Sequence, residues 1–169
     1  MRQRGNEAMR QRGNEERGVS SIADCGLGIG ESGIRNPKSE IQMILSGVGG
    51  QGILFATRIF TTLALEKGYN VIGSETHGMA QRGGSVISHL KIGDFSSPLI
   101  RKGTADILLS FDPDEAYRTL SFLKRGGLCF VNSPKEDFWH PGIKGYLERN
   151  QIRASSFPAD KVALALGAP

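Results

Sequence analysis

One short segment constrains this chain more than any other. Gly47-Val-Gly-Gly-Gln-Gly52 directly follows the apolar run Ile41–Ser46 and directly precedes Ile53–Lys67, where Ile53, Ala56, Ile59, Phe60, Leu63 and Ala64 recur at spacings of three and four. The first run predicts a buried strand and the second an amphipathic helix that Gly68 stops. A strand feeding a helix through Gly-x-Gly-x-x-Gly can turn tightly, bring backbone N–H groups close to a phosphate and place that anion at the helix N-terminus. Tyr69–Ser74 reads as a second apolar strand, so these residues form one βαβ unit with a right-handed crossover. Glu75 ends that strand at about the separation expected of an acid that binds a ribose hydroxyl. Gly47, Gly49, Gly50, Gln51, Gly52 and Glu75 are therefore candidates for cofactor binding. The competing explanation is a helix packed closely on a sheet, with Glu75 a surface loop residue.

Between His77 and Thr104 no window has a helical period. Ser85–Ile92 reads as a strand, with Val86, Leu90 and Ile92 on one face and Ile87 and His89 on the other. Two consecutive strands without a helix between them require an antiparallel member, so the sheet is expected to be mixed. Asp106–Phe111 is the next strand. Asp112-Pro113-Asp114-Glu115 then supplies an N-cap, a proline at the first helical position and an acid three residues after the cap, and Lys124, Arg125 and Gly126 are expected to close that helix. Leu128–Asn132 and Ile152–Ser156 read as further strands, and Pro158–Leu166 as a last helix.

A second glycine-rich stretch, Glu75-Thr-His-Gly-Met-Ala-Gln-Arg-Gly-Gly84, leaves the C-terminal end of the second strand. In an open α/β sheet that end shares a rim with the Gly47–Gly52 turn, so the two loops should form one crevice. His77, Gly78, Gln81, Arg82, Gly83 and Gly84 join the candidate set. Arg82 can grip a carboxylate or phosphate through two parallel hydrogen bonds, and Gly83-Gly84 can offer N–H groups to an anion. Histidine is a residue type able to titrate near neutrality, but His77 is read as a neutral, hydrogen-bonded loop residue ahead of a catalytic one. Arg82 is equally suited to a ligand contact or an interface ion pair. No catalytic residue is assigned, because no Ser-His-Asp arrangement or paired carboxylate set is evident, and no metal cluster is either.

Composition narrows the class. The chain has 169 residues, 38% hydrophobic and 22% charged, which fits one globular domain, and it has no run approaching the roughly 18 apolar residues of a membrane span. The net charge of +4 comes without a basic stripe interleaved with aromatics, so nucleic acid is not an expected partner. Cys25 and Cys129 are the only cysteines and form no Cys-x-x-Cys, so no iron–sulfur or zinc site is specified. Without a signal-type apolar stretch at the N-terminus, a reducing cytoplasmic location is the default. Residues 1–7 recur as residues 9–15, and the polar, glycine-rich segment through Lys38 has no hydrophobic period. It is expected to be a disordered leader, an upstream start or artefact without a part in the chemistry, ahead of a domain over residues 39–169.

Gly47-Val-Gly-Gly-Gln-Gly52, His77-Gly-Met-Ala-Gln-Arg-Gly-Gly-Ser-Val86, Ser97-Pro-Leu-Ile100, Ala105-Asp106 and Asp112-Pro-Asp-Glu-Ala116 together resemble the gamma subunit of 2-oxoacid:ferredoxin oxidoreductases over about residues 41–169. That family acts on pyruvate, 2-oxoglutarate, branched-chain 2-oxo acids or indolepyruvate. The resemblance implies a three-layer, Rossmann-like α/β domain with a mostly parallel, mixed sheet. It also implies a subunit that is inactive alone and works with alpha, beta and ferredoxin-like subunits. Thiamine diphosphate and Fe–S clusters would sit mainly on those partners, coenzyme A would take the acyl group, and ferredoxin would accept the electrons. The family runs on past the equivalent of Gly167, so the resemblance implies a truncated C-terminus. Two other readings remain open on the residues: a free-standing NAD- or FAD-binding domain, and a non-catalytic assembly subunit.

Overall fold

A computed structural model describes residues 40–77, 83–135 and 137–167. The elements are β1 (Ile41–Val48), α1 (Ile53–Glu66), β2 (Val71–His77), β3 (Ser85–Ile92), β4 (Ala105–Ser110), α2 (Pro113–Thr119), β5 (Leu123–Asn132), α3 (Pro141–Arg149), β6 (Arg153–Phe157) and α4 (Ala159–Ala165), with a 3₁₀ turn at Leu120–Phe122. The six strands form one sheet in the order β2-β3-β1-β4-β5-β6. Strands β1, β4, β5 and β6 run parallel, whereas β3 is antiparallel to both of its neighbours, β1 and β2. The expected mixed sheet is present.

Alternation along β1 divides the core into two layers, because successive side chains point to opposite faces. Met43 and Leu45 pack with Ile53 of α1 and with Val86 and Leu90 of β3. Ile44 packs on the other face with Leu108, with Ala116 of α2 and with Leu147 of α3. The result is helix, sheet, helix, three layers as expected. Each fully buried Leu or Ile side chain in these layers contributes roughly 1.5 to 3 kcal/mol.

The expected βαβ unit is present, its strands β1 and β2 parallel in one sheet with β3 lying between them and hydrogen-bonded to both. Two expectations need correction. The helix that Asp112 opens does not continue to Lys124–Gly126. It ends at Thr119, and Lys124–Gly126 belong to β5. Between the pairs Ala105↔Leu123 and Ile107↔Leu128 the β5 backbone bulges outward, with Gly126 at φ +77° and its N–H donated to the Asn150 carbonyl at 2.9 Å. The basic residues that resembled a helix end are the exposed part of this bulge, and Lys124 ion-pairs with Asp106. Finally, α3 was not foreseen from its glycine-interrupted sequence. Its signal was Pro141 at the first helical position behind His140, whose Nδ1 accepts from the Gly142 N–H at 3.3 Å.

His89 on β3 is buried, accepts the Ile100 N–H on Nδ1 at 3.1 Å and meets the Phe122 ring edge-on, with centroids 5.5 Å apart. Burial, and secondarily the Lys91 charge, lower its pKa below the ordinary 6.5. Its neutral form therefore contributes stability that is fully present above about pH 6.5 and is lost as pH falls through the lower folded-state value. Urea unfolding at pH 7.5 and 5.0 checks this. His89→Asn, which keeps an acceptor near Nδ1 but does not titrate, should lose less stability across that interval than the parent chain. An equal loss in both would contradict the assignment.

Candidate functional site

The β3 insertion brings the two glycine loops together. Val86 pairs with Gly47 on one side and with His77 on the other, so the C-terminal ends of β1 and β2 lie at the same level of the sheet. The shared rim expected from the sequence is present, and a hydrogen bond crosses it: the Gly49 N–H donates to the Gly84 carbonyl at 2.8 Å. Gly83 and Gly84 thus reach the crevice, with Gly83 at φ +81°. Of His77 the backbone register is described, and Gly78, Gln81 and Arg82 lie outside the described residues.

The residues of the first loop divide by role. Gly47 is a packing position. A Cβ there would lie 2.7 Å from Gln51 Oε1, 2.9 Å from Ile53 Cδ1 and 3.1 Å from Phe111 Cβ. Gln51 closes the loop, its Oε1 accepting the Val48 N–H at 2.8 Å and its own N–H donated to the Val48 carbonyl at 3.1 Å. The N–H groups of Val48, Gly49 and Gln51 are therefore committed within the protein. Gly50 and Gly52 adopt φ +102° and +84°, the left-handed region where glycine carries no steric penalty. Gly52 is the N-cap of α1, provides no side-chain cap, and no acid stands in the first turn. The first turn of α1 thus has neither an acid nor a side-chain cap of its own, the electrostatic condition that favours a bound phosphate or carboxylate.

Strand β4 delivers a third loop to this rim, on the far side of β1. Ser46 pairs in register with Ser110, and the Phe111 N–H donates to the Ser46 carbonyl at 2.8 Å. Beneath the rim, Ser46 Oγ lies 3.0 Å from both Ser110 Oγ and Thr119 Oγ1, and all three residues are fully buried. Asp112 caps α2 as expected, Oδ1 accepting from the N–H groups of Asp114 and Glu115 at 2.9 and 3.3 Å. Glu115 is buried and accepts the Ser85 hydroxyl at 2.5 Å. Chains leave β1 toward α1 and β4 toward α2 on opposite faces, so the rim between these strands is the switch point where open α/β sheets bind ligands. The hydroxyl layer and Glu115 were missed from the sequence. The available signal was the parallel ending of two apolar runs, Ile44-Leu45-Ser46 and Leu108-Leu109-Ser110.

Glu75 is placed differently from its expected role. Strand β2 continues past it to His77, and β3 separates it from β1, two strand spacings or roughly 10 Å away. It lines instead a groove of about 650 Å³ between α1 and β2, with Arg58, Thr57, Thr61 and Ser88. Asp106 lies toward the opposite end of the sheet, accepting the Gln42 N–H at 2.7 Å and pairing with Lys124, which makes it a structural residue. Among the described residues no group of three or more His, Cys, Asp or Glu is arranged to hold a metal ion. Cys129 is buried and its thiol is pushed up to about 12, which keeps it protonated at neutral pH.

A family model described as pyruvate ferredoxin/flavodoxin oxidoreductase matches residues 42–169. The chain belongs to this family. Among curated relatives, the indolepyruvate oxidoreductase subunit IorB of Archaeoglobus fulgidus is 45% identical over 95 residues, 56% of this chain and 47% of the relative. IorB of Methanothermobacter thermautotrophicus is 36% identical over 132 residues, 72% of this chain and 67% of the relative. The chain spans about half the length of the former. Solved structures include pyruvate oxidoreductase subunit PORC of Thermotoga maritima, with a TM-score of 0.57 and 22% identity over 76% of this chain and 67% of that one. The gamma subunit of a keto/oxoacid ferredoxin oxidoreductase from Geobacter sulfurreducens gives 0.52 and 26%, over 70% and 61%.

Gly47→Ala should destabilise the chain by about 1 to 3 kcal/mol, because the methyl must displace Gln51 Oε1 and press on Phe111. Gly50→Ala meets open space and should cost only the strain of a positive φ, about 1 to 2 kcal/mol. Their denaturant midpoints distinguish the two: adding Gln51→Ala should rescue Gly47→Ala in part and leave Gly50→Ala unimproved. Equal responses would argue against a packing role for Gly47.

Proposed function

We propose that the chain is the gamma-type subunit of a 2-oxo acid:ferredoxin oxidoreductase. The assembled complex oxidatively decarboxylates a 2-oxo acid to carbon dioxide and an acyl-coenzyme A, and passes the electrons to ferredoxin. The observation that carries this reading is the family match over residues 42–169 combined with two glycine loops hydrogen-bonded at one rim. The names of the curated relatives favour an aromatic 2-oxo acid of the indolepyruvate type. Cluster ligation and thiamine diphosphate binding are assigned to partner chains on the family resemblance, and Cys129, a buried thiol whose pKa is pushed up to about 12, is not suited to a cluster.

The crevice between Gly47–Gly52 and Gly83–Gly84 is assigned to a phosphate-bearing cofactor, coenzyme A. The uncapped N-terminus of α1 supports this, as does the compound bound in a related assembly. The 2-oxoglutarate:ferredoxin oxidoreductase of Magnetococcus marinus, similar in fold at a TM-score of 0.59 and 20% identity over 78% of this chain and 22% of that one, was solved with coenzyme A and succinyl-CoA. Association with partner chains is supported by α1, whose Phe55, Ile59 and Leu63 recur every four residues along one stripe and remain 69%, 44% and 48% exposed. A free-standing dinucleotide-binding domain is disfavoured by the position of Glu75, which β3 holds one strand too far from the glycine turn to take the ribose acid's usual place.

The purified chain should show no turnover with 2-oxo acid, thiamine diphosphate, coenzyme A and a viologen dye, and should support turnover once the partner subunits are added. Turnover by the chain alone would refute the subunit reading. In the assembled enzyme, Arg82→Ala should raise the KM for coenzyme A about tenfold, the equivalent of one charge-assisted contact. An unchanged KM with an intact complex would remove the cofactor from this loop, and saturable micromolar NADH binding would favour the dinucleotide alternative.

A further inference from the structure

The sheet ends on β2, and that end is unprotected. Strand β2 runs Val71-Ile-Gly-Ser-Glu-Thr-His77 without proline, lysine or bulge. It pairs with β3 at all seven positions, and no described strand lies on its other side. The Asn70 carbonyl accepts the Gly93 N–H at 2.8 Å, which sets the alternation of this antiparallel pair. Ile72, Ser74 and Thr76 therefore turn their backbone groups toward β3, and Val71, Gly73 and Glu75 turn theirs outward. A row of outward N–H and C=O groups is a template for one more strand. The occupant of such an edge is an extended backbone, and the side chains beside it select which one. Gly73 and Glu75 lie opposite Leu90 and Ser88 of β3, on the side of the sheet that α1 covers, and the groove between α1 and β2 opens over them. Arg58 stands on the α1 wall of that groove and Glu75 on the β2 wall. Both are exposed, and among the described residues neither has a hydrogen-bond or ion-pair partner. Gly73, without a side chain, leaves the floor of the groove open next to Glu75.

We propose that β2 pairs antiparallel with β2 of a second copy, across a twofold axis at Ser74, so that two sheets join into one. A twofold interface must be self-complementary, and this edge is. With the axis at Ser74, Gly73 of each copy stands opposite Glu75 of the other, and outward-facing backbone meets outward-facing backbone as a ladder requires. Each Glu75 then enters the space above the other copy's Gly73, in the groove where that copy's Arg58 stands. Two symmetric carboxylate–guanidinium pairs result, in place of two unpartnered charges. The charges also fix the register. Sliding the pair two residues one way sets Glu75 against Glu75 of the other copy, like charge on like charge, and sliding it the other way sets Glu75 against Val71. The inference is independent of the coenzyme A reading, which concerns the rim beside β1.

Sedimentation equilibrium of the full chain tests this, with circular dichroism to confirm that each variant folds. The parent chain should show a monomer–dimer equilibrium. Glu75→Arg and Arg58→Glu should each raise the dimer Kd about tenfold, because each sets like charges together at both symmetric contacts. The two substitutions combined restore opposite charges and should bring the Kd back to within about threefold of the parent. Amide exchange at rising protein concentration locates the contact. The N–H groups of Gly73 and Glu75 should slow as the dimer fills, and those of Ile72 and Ser74, already bonded to β3, should change less. A monomer at every concentration would overturn the inference. So would a dimer indifferent to both charge reversals, or one that slows exchange elsewhere, for example along Phe55, Ile59 and Leu63 of α1. Protection of Gly73 and Glu75 that arises only when partner subunits are added would give the edge to a different chain and overturn the second copy as its occupant. Arg58→Glu, at an exposed helical position, keeps the test open should Glu75→Arg fail to fold.

Discussion

The antiparallel insertion of β3 between β1 and β2 is the constraint on which the candidate site depends. Each strand leaving a parallel sheet at its C-terminal end delivers its loop to one rim, and β1 and β2 do so here. With β3 between them, those loops would stand roughly 10 Å apart unless something bridged the gap. The bridge is the start of β3 itself. Gly84 and Ser85 come up from the second loop into the space beside the first, and the Gly49 N–H closes on the Gly84 carbonyl. With β1 and β2 as neighbours, Glu75 would have stood beside the glycine turn, where dinucleotide-binding folds place their ribose acid. The inserted strand instead puts the Gly83-Gly84 end of a second glycine loop beside the first.

Beneath that surface the chain is rigid for identifiable reasons. Ser46, Ser110 and Thr119 satisfy one another in a fully buried layer, and Thr119 also donates to the Glu115 carbonyl at 2.6 Å. On the α1 side, the Thr57 hydroxyl lies 3.0 Å from Ser88 Oγ and from the Ile53 carbonyl, joining the first turns of the helix to β3. Buried hydroxyls in such numbers need complete satisfaction, and none of the buried side-chain polar atoms among the described residues lacks a partner. Gly47 completes the arrangement from the opposite direction: by having no Cβ it lets Ile53 and Phe111 close over the strand end, and with them α1 and the β4–α2 turn. Helices on both faces are thus referenced to the same few residues of β1.

Much of this was legible in the sequence, where local signals agree with the fold. The Gly47–Gly52 turn, the Asp112-Pro113 helix start and the alternation of Val86, Leu90 and Ile92 against Ile87 and His89 are short-range patterns, and each corresponds to what the chain does. The errors arise where the deciding interaction lies far away. Lys124–Gly126 has the composition of a helix end, but pairing with β4 draws Leu123 into the sheet and forces a bulge. Glu75 has the right separation for a ribose acid, but separation along the chain carries no information about a strand inserted later. Glu115 read as an ordinary first-turn acid because its partner, Ser85, lies thirty residues back.

The central claim is that the linked glycine loops form the coenzyme A surface of an assembled oxidoreductase. Amide hydrogen exchange on the complex with and without coenzyme A tests it most directly, since exchange reads the backbone N–H groups on which the claim rests. Coenzyme A should slow exchange at Gly50, Gly52 and the first turn of α1, and at Gly83–Ser85, with α3 and β6 unaffected. Protection confined to other chains, with these loops exchanging at the same rate in both states, would contradict the account.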